Sequence, residues 1–125
     1  MKRSHTLAAV ALACGAVLCA MPAPAHHSFA MFDTQKQVTL SGTVREFQWT
    51  NPHSWLQVQV PQGAASVEYS IELGSPNSMS RRGWRRTTFK PGDKVTVVIN
   101  PMRDGASGGA LVYALDEQGK RWAWR

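Results

Sequence analysis
Three runs of strict polar–apolar alternation follow one another here, separated only by short stretches rich in turn residues. Over 37–47, Val38, Leu40, Gly42 and Val44 alternate with polar residues. Over 55–60, Leu56, Val58 and Val60 face Gln57 and Gln59. Over 67–73, Val67, Tyr69, Ile71 and Leu73 face Glu68, Ser70 and Glu72. Successive side chains on a strand point to opposite faces, so each run predicts a strand with one buried face. Thr50-Asn51-Pro52 and Pro61-Gln62-Gly63-Ala64 supply turn chemistry between them, which makes the three a meander. Gly42 marks a bulge or bend in the first strand.

Ser75-Pro76 then reads as a helix start, with Ser as N-cap and Pro in the first turn, and the helix is expected over 76–82. Gly83 suits the left-handed residue that ends it. Lys90-Pro91-Gly92-Asp93 turns the chain into a strand over 94–100, where Val95, Val97 and Ile99 face one way. A Gly-, Asp- and Ser-rich loop over 101–109 leads to a fifth strand over 110–115, and 121–125 can add a short last one. Three strands, a short helix and two or three strands is the order of an all-β, five- or six-stranded OB-like barrel with its helix between strands 3 and 4. A sandwich would need about seven strands.

The first 25 residues predict a different fate. Lys2 and Arg3 precede an uncharged apolar run over 7–20, and Ala23-Pro24-Ala25 ends in a small-x-small cleavage pattern. This is the anatomy of a secretory signal peptide rather than a spanning helix. Cleavage is expected after Ala25, because a cut after Ala23 would place Pro24 just beyond it. The domain plan is therefore a cleaved signal over 1–25, a tail over 26–36 packing on the barrel, and the barrel over 37–125. The destination is the periplasm or the outside, with no transmembrane anchor after cleavage. Both cysteines, Cys14 and Cys19, lie in the signal. The mature chain can then form neither a disulfide nor a thiolate site, and its stability must come from packing. The net charge of +6 includes Lys2 and Arg3, which leaves about +4 for the rest. In an exported protein that balance points to anionic glycans, lipid surfaces, acidic proteins or small anions rather than nucleic acid.

Two constellations carry candidate chemistry. The first is His26, His27 and His53. After cleavage the free amine and imidazole of His26 can chelate one ion, and His53 sits in the Asn51-Pro52-His53 turn between Trp49 and Trp55. A nitrogen set of this kind leans to Cu(II), and Met31 could join as a soft ligand for Cu(I). The bland alternatives are a solvated tail for the His pair and a His53 that bonds a backbone carbonyl. The second is Arg81-Arg82-Gly83-Trp84-Arg85-Arg86, four guanidiniums around one indole. Arginine binds carboxylate or phosphate bidentately and stacks on rings. Arg81, Arg82, Trp84, Arg85 and Arg86, with Trp49 and Trp55, are thus candidates for an anionic glycan, a lipid headgroup or a protein partner. The plain alternative is a solvated run with Trp84 plugging the barrel end. Glu46, Glu68 and Glu72 read as a solvated strand face. No P-loop, dinucleotide fingerprint or nucleophile elbow is present. Ser54 and His53, as neighbours on a strand, would point apart. A binding protein is expected rather than an enzyme, with copper the candidate cofactor.

Several stretches taken together resemble a domain-of-unknown-function family of small exported bacterial proteins. They are Ala25-His26-His27-Ser28-Phe29, Phe32-Asp33, the stretch over 47–55, Gly74-Ser75-Pro76-Asn77, Arg81-Arg82-Gly83-Trp84, Lys90-Pro91-Gly92-Asp93, and Asn100-Pro101 with Arg103-Asp104-Gly105. The resemblance spans nearly the whole mature chain. It implies export and a small domain, and it brings no established activity with it.

Overall fold
The first alternating run folds into β1 (Val38–Gln48), a strand long enough to serve two neighbours in turn. The computed structural model describes residues 29–125, so the expected signal, His26 and His27 lie outside the described residues. The front of β1 pairs antiparallel with β4 (Lys94–Pro101), from Val38↔Ile99 to Thr43↔Lys94. Its back half pairs with β2 (Trp55–Gln62), from Thr43↔Gln59 to Gln48↔Trp55. The register slips between Val44 and Glu46, so the irregularity falls at Arg45 rather than at Gly42. An extra residue bends a strand and lets it pass from one partner to the next. Gly42 has a different task. A Cβ there would fall on the Gln59 carbonyl and lie 2.9 Å from Val58 Cγ1, so glycine permits the close crossing of strands.

β2 and β3 (Ala65–Glu72) form a hairpin in register from Trp55↔Glu72 to Gln62↔Ala65. The turn is narrower than the sequence suggests, because Pro61 belongs to β2. Pairing with β1 ends at Gln59. Beyond that point β2 has a partner on one side only, the position in a sheet where a residue without an N–H is tolerated.

Helix α1 (Pro76–Ser80) begins as expected, with Ser75 Oγ accepting from the Ser78 N–H at 3.2 Å. It stops two residues short of Arg82. The N–H of Gly83 bonds the Ser80 carbonyl at 3.1 Å, the N–H of Trp84 reaches the Met79 carbonyl at 3.2 Å, and Gly83 takes φ +87. This reversal, which needs a left-handed residue, drives Trp84 into the core.

β5 (Gly108–Leu115) runs antiparallel to β4 and parallel to β3, through Ser70↔Gly108, Ile71↔Gly109 and Glu72↔Ala110. That parallel pairing closes a five-stranded barrel, and β6 (Arg121–Ala123) adds a sixth strand beside β5. With α1 between β3 and β4, the architecture is an OB-like barrel. Its interior is filled by Leu56, Val58, Ile71, Leu73, Met79, Trp84, Val97, Ile99 and Leu111, all fully buried. A 3₁₀ turn (Phe29–Met31) lies outside the barrel. It is tied down by an isolated bridge between Phe32 and Met102, by Asp33 N–H to the Pro101 carbonyl at 2.8 Å, and by Arg103 N–H to the Met31 carbonyl at 3.0 Å. Among the described residues no helix is long and apolar enough to cross a membrane.

Candidate functional site
The 81–86 turn hangs on one buried indole. Trp84 is fully buried and meets Phe47, Phe89 and Trp122 at centroid distances of 6.0, 5.9 and 5.5 Å. Its Nε1 donates to the Ala123 carbonyl at 2.9 Å. Trp84 is therefore the anchor of the segment, and its ring has no face left for a ligand. Trp49 is half-buried at the edge of the same ring cluster, 5.7 Å from Phe47.

Arg81, Arg82, Arg85 and Arg86 are all exposed. Arg85 folds back, donating from Nη1 to the Trp84 carbonyl at 2.8 Å and the Ser80 carbonyl at 3.3 Å. Its backbone N–H bonds Thr88 Oγ1 at 2.8 Å, which stiffens the turn. The guanidiniums of Arg81, Arg82 and Arg86 bond no described residue. The other described arginines are all engaged. Arg45 pairs with Glu68 at 2.9 Å, and Arg103 with the Ala30 carbonyl at 3.0 Å. Arg121 lies over Tyr113, and Arg125 over Phe29 and Trp124.

The second constellation is placed elsewhere. His53 Nδ1 stands 3.1 Å from the Leu73 carbonyl and 3.1 Å from Glu72 Oε1. The turn carrying it is docked on the strand end that holds both, through Ser54 N–H to the Gly74 carbonyl and Leu73 N–H to the Ser54 carbonyl, each 2.9 Å. The carbonyl contact is the structural role the sequence allowed for. Glu72 is the unexpected neighbour. It lies on the polar face of β3, yet is only 3% exposed, and its Oε2 is buried without a hydrogen-bond partner. Glu72 thereby corrects the expectation of a solvated face. Trp55 stands opposite Glu72 across the β2–β3 ladder, and both line a cavity with Met31 and Phe32. Among the described residues no three His, Cys, Asp or Glu side chains gather as a metal cluster. His26 and His27 fall outside those residues, so His53 is the described member of the expected nitrogen set.

The structure thus divides the candidates. Trp49, Trp84 and the four arginines belong to the ring cluster and the turn it supports, whereas Trp55 and His53 belong with Glu72. The family model described as "Family of unknown function (DUF6152)" matches residues 12–111. The chain belongs to DUF6152. The match takes in Phe47, Trp49, Trp84 and Phe89 of the ring cluster, the arginine turn and the His53–Glu72 pair, while Trp122 lies beyond it. Comparison with curated proteins gives no match. As a DUF6152 barrel, the chain presents an aromatic cluster with a cationic turn at one place and a buried carboxylate at another.

Proposed function
We propose that this DUF6152 protein is a non-enzymatic binding module that receives an oxyanion-bearing partner on the 81–86 turn. One observation carries the reading. Among the described residues, Arg81, Arg82 and Arg86 are exposed and unpaired on a turn held by a buried Trp84, while every described arginine outside the turn is ion-paired, hydrogen-bonded or stacked. An unpaired guanidinium on a fixed backbone can meet carboxylate, sulfate or phosphate bidentately, with little left to organise. Trp84 acts from below by fixing the turn, and Trp49 supplies the adjoining indole.

The test is binding to a sulfated glycan and to vesicles containing an anionic phospholipid, each at rising salt. Exposed ion contacts are screened within roughly 10 Å at 0.1 M salt, so binding should weaken as salt increases. Arg82→Ala with Arg86→Ala should abolish binding and leave the thermal melt unchanged. Arg→Lys at both positions should restore only part of it, because lysine cannot form the bidentate pair. Salt-insensitive binding, or full binding by the double alanine variant, would refute the reading.

A further inference from the structure
A carboxylate oxygen buried without a donor is costly, since the group loses water and gains nothing in return. Glu72 Oε2 is such an atom. Its partner oxygen, Oε1, is held 3.1 Å from His53 Nδ1, so the carboxylate is positioned rather than loose. Arg125 is the nearby cation, and its guanidinium feels the charge of Glu72. Its guanidinium is stacked 4.1 Å over Phe29 and 4.6 Å over Trp124, and it forms no ion pair with Glu72.

Glu72 lines a cavity of about 200 Å³, together with Met31, Phe32, Trp55, Met102 and Gly108. Two methionines therefore line one small cavity with a tryptophan and a glutamate. The backbones of both methionines are held in place. Met102 forms the bridge to Phe32, and the Met31 carbonyl accepts from the Arg103 N–H at 3.0 Å. At Gly108 an added Cβ would lie 3.8 Å from Met102 Cγ.

The walls decide which cation fits. Calcium takes six to eight oxygen ligands, and magnesium keeps several waters in a strict octahedron. A mainly apolar cavity whose oxygen-bearing side chains are one carboxylate and the hydroxyls of Ser70 and Ser107 offers neither arrangement. Thioethers select soft ions such as Cu(I), and an indole face attracts a desolvated cation. We propose that this cavity binds a soft monovalent ion, Cu(I) or its redox-inert counterpart Ag(I). In this site the Met31 and Met102 thioethers are the ligands, Glu72 is the counter-charge and Trp55 is the flanking ring. His53 is a positioning residue, because it reaches the site through Glu72. This site is separate from the arginine turn, and neither reading depends on the other.

The experiment titrates Ag(I) into the metal-free full protein in chloride-free buffer. Tryptophan emission and native mass are read, together with the methyl NMR signals of isotope-labelled methionine. The expected result is one Ag(I) per chain, a change in emission, and shifts of the Met31 and Met102 methyl signals ahead of the other methionines. Met31→Leu with Met102→Leu nearly conserves volume and should retain the fold while losing Ag(I). Glu72→Gln and His53→Ala should each weaken binding by about tenfold, the scale of outer-shell effects on metal affinity. His26→Ala with His27→Ala should leave this binding intact. Unmoved Met31 and Met102 signals, full affinity in the double leucine variant, or uptake of tetramethylammonium in place of Ag(I) would overturn the proposal. The methyl signals decide the matter in the native chain should the leucine variant not fold.

Discussion
The indole N–H of Trp84 and the backbone carbonyl of Ala123 lie 2.9 Å apart, joining the turn after α1 to the last strand. The same indole meets Trp122 at a tilt of 60° in the ring cluster, so one side chain ties the middle of the chain to its end. Truncating a fully buried Trp costs about 3–5 kcal/mol, a large share of the 5–15 kcal/mol that stabilises a small domain. Trp84→Ala should lose that much in urea denaturation. Arg82→Ala should stay within about 0.5 kcal/mol of the parent, as surface substitutions do. Equal losses in the two variants would mean that the arginines are structural.

Ile71 tests the barrel itself. It is fully buried, opposite Leu56 on one side and Gly109 on the other. A carboxylate there has no partner, and Ile71→Asp should leave the chain unfolded. Far-UV circular dichroism reads the outcome, and a normal melt would contradict the closed β3–β5 seam.

Asp116 links stability to acid. Its side chain accepts from Trp122 Nε1 at 3.0 Å, Lys120 N–H at 2.9 Å and Gln118 N–H at 3.0 Å. The Trp122 hydrogen bond is the main cause that holds its pKa below the ordinary 3.8, against a smaller upward push from burial. Because the folded value is the lower one, the stabilisation is complete above the unfolded pKa and is lost as pH falls through the folded one. The stability gap between the parent and Asp116→Asn should therefore be constant at neutral pH and close in strong acid. The Trp122 indole proton should shift over the same range. A gap that persists in strong acid would remove the carboxylate from the account.

Glu72 makes an unusual forecast for a buried residue. Replacing it with Gln keeps an acceptor for His53 and removes a charge from a place that lacks a donor. Metal-free Glu72→Gln should be more stable than the parent by about 1 kcal/mol, whereas His53→Ala should be less stable by about 1–3 kcal/mol, because it strips the remaining partner from the carboxylate. Urea midpoints decide both, and a destabilised Glu72→Gln would mean that Oε2 has a donor after all.

The amino terminus is tested by mass. Export should yield a chain that starts at His26. A mass that retains Pro24-Ala25, or one that carries lipid on Cys14, would remove the His26 amine as a chelating group.

Element order was open to reading because it rests on local chemistry. Alternation marks a strand wherever one face is wet, and Ser75-Pro76 and Gly83 bracket a helix through their own backbone preferences. Gly42 and Pro61 misled for a shared reason. Each sits where a neighbouring strand approaches or ends, and only the three-dimensional register reveals that. Trp49 and Trp55 look equivalent in sequence, but they part company because one packs with Phe47 and the other faces Glu72. Glu72 was hidden in an alternation that correctly placed it outside the barrel. Across a cavity from it stand Met31 and Phe32, and the signal for that layer was the apolar Phe29, Met31 and Phe32 cluster. The role of Met102 had no local signal, since it depends on pairing with a segment far upstream.

The edge of β5 away from β4 is shared. Its first residues pair with β3 to close the barrel, and Tyr113, Ala114 and Leu115 pair with β6. Without residues 121–123, those three would offer an unoccupied row of backbone donors and acceptors, the template on which chains stack edge to edge. The last strand thus occupies that row. A shortened form lacking it would be expected to dimerise or precipitate before it lost its barrel.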